Sequence, residues 1–256
     1  LADLNKAVQL EPEFDEAWVL IGAQYAVKGE PDLAIENYNQ AIRINPTAPG
    51  FLHLRGESHA IKEDFDKAIE DFNEAILLKP YMSKCWADLG HACSEKEDFS
   101  QAIESFNQAI QLESFNASYR ADRALAYRGL GKLDAAIRDY NAAIRIEPEE
   151  PGFWFHRGLT HLENSNCFSE EEGEENTEEI NLALESFNQF TQLDAEDPDG
   201  WYFKSCACNA KGEFHSSLEN INEAIRLRPE DGSFRDMRGC IYQSIGRETE
   251  AEADFR

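Results

Sequence analysis

The sequence predicts an all-α solenoid of antiparallel helix pairs, and three observations carry that expectation. Four similar segments, Ala34-Ile-Glu-Asn-Tyr-Asn-Gln-Ala-Ile-Arg-Ile-Asn-Pro46, Ala68-Ile-Glu-Asp-Phe-Asn-Glu-Ala-Ile-Leu-Leu-Lys-Pro80, Ala102-Ile-Glu-Ser-Phe-Asn-Gln-Ala-Ile-Gln-Leu-Glu-Ser114 and Ala136-Ile-Arg-Asp-Tyr-Asn-Ala-Ala-Ile-Arg-Ile-Glu-Pro148, begin 34 residues apart every time. Ala34, Tyr38, Ala41 and Ile42 recur at helical spacing and fall on one stripe. Ahead of each segment runs another helical stretch, such as Asp15 to Lys28 with Trp18, Ile21, Gly22 and Tyr25, closed by Gly29-Glu30-Pro31. The unit is therefore helix, turn, helix, and the Pro at its end starts the next turn because it cannot continue a helix.

These residues resemble the tetratricopeptide repeat family, whose 34-residue pattern asks for Trp, Leu-Gly, Tyr, Ala, an aromatic, Ala and Pro. The second unit carries them as Trp18, Ile21-Gly22, Tyr25, Ala34, Tyr38, Ala41 and Pro46. The small residues have a steric reason, since Gly22 and Ala34 let two helices approach closely while the aromatic rings fill the space between units. The resemblance implies a right-handed superhelical array that binds other proteins without catalysing a reaction.

In chain order, residues 1–14 read as the second helix of a partial repeat. Full repeats follow at 15–48, 49–82, 83–116, 117–150, 151–197 and 198–231, and residues 232–256 read as a partial repeat containing Gly239, Tyr242, Ala251 and Phe255. Both ends cut through a helix that needs its partner, so the chain is expected to be part of a longer array or a larger protein.

The fifth full repeat exceeds the period by thirteen residues. The excess is expected between its two helices as an acidic, solvated loop at about 165–179, with Glu170, Glu171, Glu172, Glu174, Glu175, Glu178 and Glu179. No Lys or Arg occurs between Arg157 and Lys204, whereas Asp and Glu number 13 there, half of the chain's net charge of -26. A passive loop is the plain reading; the alternatives are a lure for a basic segment or an arm lying across the array's own groove. Phe190 stands where Ala is expected and Ala195 where Pro is expected. In the next repeat Ser205, Ser217 and Ile221 replace a small residue, a small residue and an aromatic. Local irregularity is expected at these places.

Composition narrows the function. The chain is 42% hydrophobic and 29% charged, as suits a folded helical protein. No apolar run approaches the ~18 residues that span a bilayer. The six cysteines lack the spacing of a disulfide framework, so an intracellular, reducing compartment, the cytoplasm, is expected. The acidic field disfavours nucleic acid and anionic membranes, both of which are bound through clusters of Lys and Arg, and favours neutral or basic protein segments. Arg55, Arg123, Arg157 and Arg238 each precede the small residue of a first helix. They could form a row for an acidic ligand, but pairing with Asp71, Asp139 or Glu185 on a neighbouring helix is the default.

No catalytic, metal or cofactor constellation emerges. The six His are spread over the repeats, with His59 and His161 in the aromatic slot of Tyr25 and Tyr127. Cys206 and Cys208 lie about 200° apart around a helix and cannot chelate one ion from one face. Cys93 and Cys208 also take the aromatic slot, as core thiols would. The segment from Asp194 to Gly200 fails as a calcium loop, because Ala195 and Cys206 fall at its first and last ligand places.

In the resembled family, ligands lie along the concave face lined by the first helices. Here those places hold Glu16, Val19 and Ala23, then His53 and Glu57, then Lys84, Ala87 and His91. Ser118 and Arg128, Phe155 and Leu159, and Tyr202, Cys206 and Asn209 continue them. The mixture suits an extended peptide or partner helix with apolar anchors. Family members that grip acidic chaperone tails use Lys, Asn, Asn, Lys and Arg. Val19, Ala23, Leu54, Lys84 and Asp88 stand at those places, so no such binding is expected. A regulatory module of a multidomain enzyme and a self-assembling structural array remain alternatives to a binding scaffold.

Overall fold

A computed structural model describes residues 1–165 and 177–256. The described residues form fifteen helices and no strand. They fall into two compact units, residues 1–130 and 131–256.

The first unit holds α1 (Ala2–Leu10), α2 (Asp15–Val27), α3 (Pro31–Ile44), α4 (Pro49–Ile61), α5 (Phe65–Leu78), α6 (Ser83–Glu95), α7 (Phe99–Leu112) and α8 (Ala117–Gly129). Helices α2 and α3, α4 and α5, and α6 and α7 pair as hairpins, and each hairpin packs on the next. First helices also meet one another, α2 with α4, α4 with α6 and α6 with α8, so they form one continuous layer of this unit. The second unit holds α9 (Leu133–Ile146), α10 (Pro151–Asn164), α11 (Thr177–Leu193), α12 (Pro198–Ala210), α13 (Phe214–Leu227), α14 (Gly232–Ser244) and α15 (Glu248–Asp254). Its hairpins are α10 with α11, α12 with α13 and α14 with α15.

Local chemistry sets the helix ends. Pro31, Pro49, Pro151 and Pro198 open helices, where a missing N–H costs nothing. Asp98, Asn116, Asp197 and Asp231 accept backbone N–H bonds as N-caps. Between the two helices of a hairpin the chain must enter the left-handed region. Gly29, Gly212 and Gly246 do so, Glu63 and Glu97 are forced to the same positive φ, 61° and 60°, and Gly131 in the connection from α8 to α9 has it too.

In four of the hairpins the inner contact is a glycine against a buried aromatic ring. A Cβ on Gly22 would lie 2.6 Å from Tyr38, on Gly56 2.6 Å from Phe72, on Gly90 2.7 Å from Phe106 and on Gly158 2.7 Å from Phe187. Those four rings are at most 1% exposed. Each contributes on the order of 2–3 kcal/mol of burial.

Two side-chain devices join successive repeats. The indoles of Trp18, Trp86, Trp154 and Trp201 donate from Nε1 to the carbonyls of Pro12, Pro80, Pro148 and Ala195, at 2.8 to 2.9 Å. Arg120 and Arg235 reach the carbonyls of Ser114 and Pro229 from the same helix position. The second device is an arginine clamp. Arg55 donates to both carboxylate oxygens of Asp71, at 2.9 and 2.5 Å, and to Asn39 of the preceding repeat at 2.7 Å. Arg238 repeats this with Asp254 and Asn222. Arg157 binds Glu185, Ser186 and Asn141, and Arg123 binds Asn107 at 2.5 Å. These cations are engaged within the array rather than offered as a row to an acidic ligand.

Two of the residues expected in the acidic loop are helical. Helix α11 begins at Thr177, so Glu178 and Glu179 belong to its first turn, where carboxylates complement the positive helix end. Glu179 also meets the buried His161, Nδ1 to Oε2 at 2.6 Å. Glu170, Glu171, Glu172, Glu174 and Glu175 lie outside the described residues.

At the repeat departures the substituted residues make contacts of their own. The indole of Trp201 keeps its bond with Ala195 in the Pro place. Ser205 and Ser217 replace the small-residue contact by reciprocal bonds, each hydroxyl donating to the other's carbonyl at 2.9 and 2.8 Å. Both are fully buried, as is Ile221.

Candidate functional site

The first-helix layer of residues 1–130 contains a pocket of about 490 Å³ lined by parts of α2, α4 and α6. Its floor and walls are apolar: Ala23, Ala26 and Val27 from α2, Leu54, Ala60 and Ile61 from α4, and Phe65 at the start of α5. Val27 is 87% exposed and Ile61 63% exposed, so two large aliphatic side chains stand in the open at its mouth. Glu57, Asp88, His91 and Glu95 form a charged edge. Tyr38 lies beneath, and burial pushes its phenol up to about 12.

Helix-to-helix ion pairs order that edge. His53 Nε2 is 2.6 Å from Asp88 Oδ2. Lys84 binds Glu57, and that bond raises the ammonium's pKa. His91 lies 3.3 Å from Asp122, and this hydrogen bond holds the imidazole above its ordinary value. Glu95 makes no ion pair among the described residues, and the edge is predominantly acidic.

Of the groove residues expected from sequence, Ala23, Glu57 and His91 line this pocket. Glu16, Lys84 and Ser118 are exposed on the first turns of their helices, and Val19 and Arg128 are half-buried. Two expectations fail. Ala87 is 3% exposed and His53 8%, because their helix position packs against the neighbouring first helix instead of facing outward. In residues 131–256, Phe155 and Tyr202 are engaged in an aromatic cluster rather than free as anchors. Phe155 lies 5.0 Å from Phe190 and 5.7 Å from Phe203, and Tyr202 5.0 Å from Phe203 and 5.2 Å from Phe234. Leu159 packs against the same core, and Cys206 and Asn209 are half-buried.

The sequence reading missed Val27, Ile61 and Glu95 as site residues. The signal was present: they stand four residues beyond Ala23, Glu57 and His91, one helical turn further along the same face.

The remaining titratable groups are structural. Burial drives the thiols of Cys85 and Cys93 up to about 12 and about 11 and raises that of Cys208, so these sulfurs stay protonated and unreactive. Burial lowers the pKa of His59 and of His161, the latter opposed in part by Glu179.

Models of the tetratricopeptide repeat match residues 15–48, 49–81, 83–116 and 198–231, and a TPR repeat model matches residues 124–165. The chain belongs to the tetratricopeptide repeat family. No curated protein matches the sequence of this TPR chain. Solved TPR structures share its fold at low identity. A tetratricopeptide repeat protein from Parabacteroides merdae superposes with a TM-score of 0.68 at 20% identity, covering 81% of this chain and 77% of that one. YrrB, described as a TPR protein with an unusual peptide-binding site, gives 0.63 at 17% identity, covering 82% and 97%. MamA from Desulfovibrio magneticus RS-1 gives 0.63 at 18%, covering 71% and 95%. TPR arrays are protein-interaction scaffolds, and that general role is the one this chain's repeats support. No helix among the described residues is long and apolar enough to cross a membrane.

Proposed function

We propose that this TPR chain is a binding scaffold for an extended peptide or partner helix, held in the groove of the first helices. The observation that carries this reading is the apolar pocket bounded by Val27, Leu54 and Ile61 beside the acidic edge of Glu57, Asp88 and Glu95. Such a pocket takes one aliphatic or aromatic anchor, and the carboxylates beside it favour Lys or Arg next to that anchor. A neutral to basic segment also matches the net charge of -26. Nucleic acid, anionic membranes and acidic chaperone tails are disfavoured by the same field, and the work is proposed to take place in the cytoplasm without a catalytic step. The peptide-binding description of YrrB supports a peptide ligand for a chain of this fold.

Selection from a random peptide library against the full chain tests the reading. Recovered sequences should carry a large apolar residue flanked by Lys or Arg, and Ile61→Glu should weaken their binding by about 1–3 kcal/mol, roughly 5- to 150-fold. Peptides that bind the Ile61→Glu and Val27→Glu variants as well as the parent would overturn it.

A further inference from the structure

His53 and Glu57 stand four residues apart on α4, one turn apart on one side of the helix, and Asp88 reaches them from α6. One ligating atom of each, an imidazole nitrogen and two carboxylate oxygens, lies within 4.8 Å of the other two. Two helix residues at this spacing, completed by a third from a neighbouring element, meet the geometric need of a three-ligand metal centre. The donor set selects the ion. Imidazole with carboxylates suits Zn²⁺ and its first-row neighbours, whereas Ca²⁺ and Mg²⁺ take oxygen ligands alone.

We propose that His53, Glu57 and Asp88 form a divalent transition-metal site, of zinc type, on the first-helix face of residues 1–130. Zinc holds such donors at about 2.0–2.2 Å, so around a tetrahedral ion they lie roughly 3.3–3.5 Å apart. The His53 and Asp88 donors, 2.6 Å apart, therefore have to open by roughly 0.7–0.9 Å, and any wider separation, at most 4.8 Å, to close by up to about 1.3–1.5 Å, within the reach of a carboxylate rotamer. His53 is held for the task, since its ring is buried and lies 5.7 Å from Phe72. The cation already present there is Lys84, bound to Glu57 with 64% of its side chain exposed, so it can swing into water when a dication takes the carboxylate. Without metal, the His53 and Asp88 hydrogen bond keeps the two donors together. Three protein ligands leave a fourth position open, and Glu57 and Asp88 are also pocket-lining residues.

The test is calorimetric titration of zinc chloride into the chelator-treated full chain, with Cys167, Cys206 and Cys240 changed to Ser. Only the buried thiols of Cys85, Cys93 and Cys208 then remain. One saturable site is expected. His53→Gln and Asp88→Asn should each weaken it at least about tenfold, since loss of an outer partner alone costs 10–100-fold at zinc centres. Cobalt(II) in place of zinc should give visible d–d absorption that His53→Gln abolishes. Circular dichroism checks that each variant keeps its helices, and should His53→Gln unfold, the more exposed Asp88→Asn carries the comparison. Absence of binding by the parent chain, or binding that Asp88→Asn leaves unchanged, overturns the proposal. Peptide selection reads a separate property, so either idea can fail alone.

Discussion

Phe190 on α11 lies against the bare backbone of Gly200 on α12, where an added Cβ would come within 2.3 Å of the ring. Four equivalent pairs set a small residue before a large one, Ala41 with Phe51, Ala109 with Tyr119, Ala143 with Phe153 and Ala224 with Phe234, while Ala7 with Ala17 and Ala75 with Cys85 are small on both sides. Small and large residues have exchanged sides at this one junction, so the interface keeps its volume although the repeat pattern is broken.

Gly200→Ala should therefore overpack the junction and cost about 1–3 kcal/mol. The double change Phe190→Ala with Gly200→Phe, which restores the arrangement of the four small-to-large pairs, should recover much of the loss. Urea denaturation midpoints of the double variant beside Phe190→Ala and Gly200→Phe alone decide it, and a double penalty equal to the sum of the single ones would refute the exchange.

Glu63 and Glu97 hold left-handed backbone where the other described hairpin turns have Gly. That conformation costs a non-glycine residue about 1–2 kcal/mol, and glycine's greater freedom in the unfolded chain returns part of the gain. Glu63→Gly and Glu97→Gly should each stabilise by about 0.5–1 kcal/mol. Calorimetry would show an increase in Tm for each variant.

Arg55→Ala should be among the most damaging surface-adjacent substitutions. It leaves the Asp71 carboxylate, 4% exposed, without its bidentate partner and detaches Asn39 of the preceding repeat. A cost of about 2–3 kcal/mol is expected for stranding a buried charge. The variant with both Arg55→Met and Asp71→Leu should be less damaged than Arg55→Ala, as equilibrium unfolding would show.

Acid should weaken the fold through His59. Its Nδ1 is buried without a hydrogen bond, with Asp64 3.9 Å away, and burial lowers its pKa. The unfolded chain then binds the proton more readily than the folded one. Stability is full above the ordinary histidine value of about 6.5 and falls as pH drops from there toward the lowered folded value. His59→Tyr, which installs the residue found at this place in other repeats, should make the fall in Tm between pH 7 and pH 5 smaller. An unchanged pH profile would show that His59 does not contribute to it.

The helices were legible from sequence because the signals that make them are local: an apolar stripe of period 3.6, proline at helix starts, a turn residue between, and glycine opposite an aromatic sixteen residues later. Val27, Ile61 and Glu95 were one turn from a correct reading. Glu178 and Glu179 were misread as loop because composition alone marks an acidic run as solvated, while the contact of Glu179 with His161 joins residues on two helices.

What the sequence by itself determined is the repeat, its period, the helical character of each segment and the acidic excess. These follow from spacing and composition within one or two turns of chain. The tertiary structure decided which side chains of the first helices are covered and which are open. It buried Ala87 and His53, left Val27 and Ile61 exposed around a pocket, and brought Asp88 to His53 from 35 residues away. Those outcomes depend on how one repeat packs against the next, a property of pairs of repeats that the pattern of a single repeat does not contain.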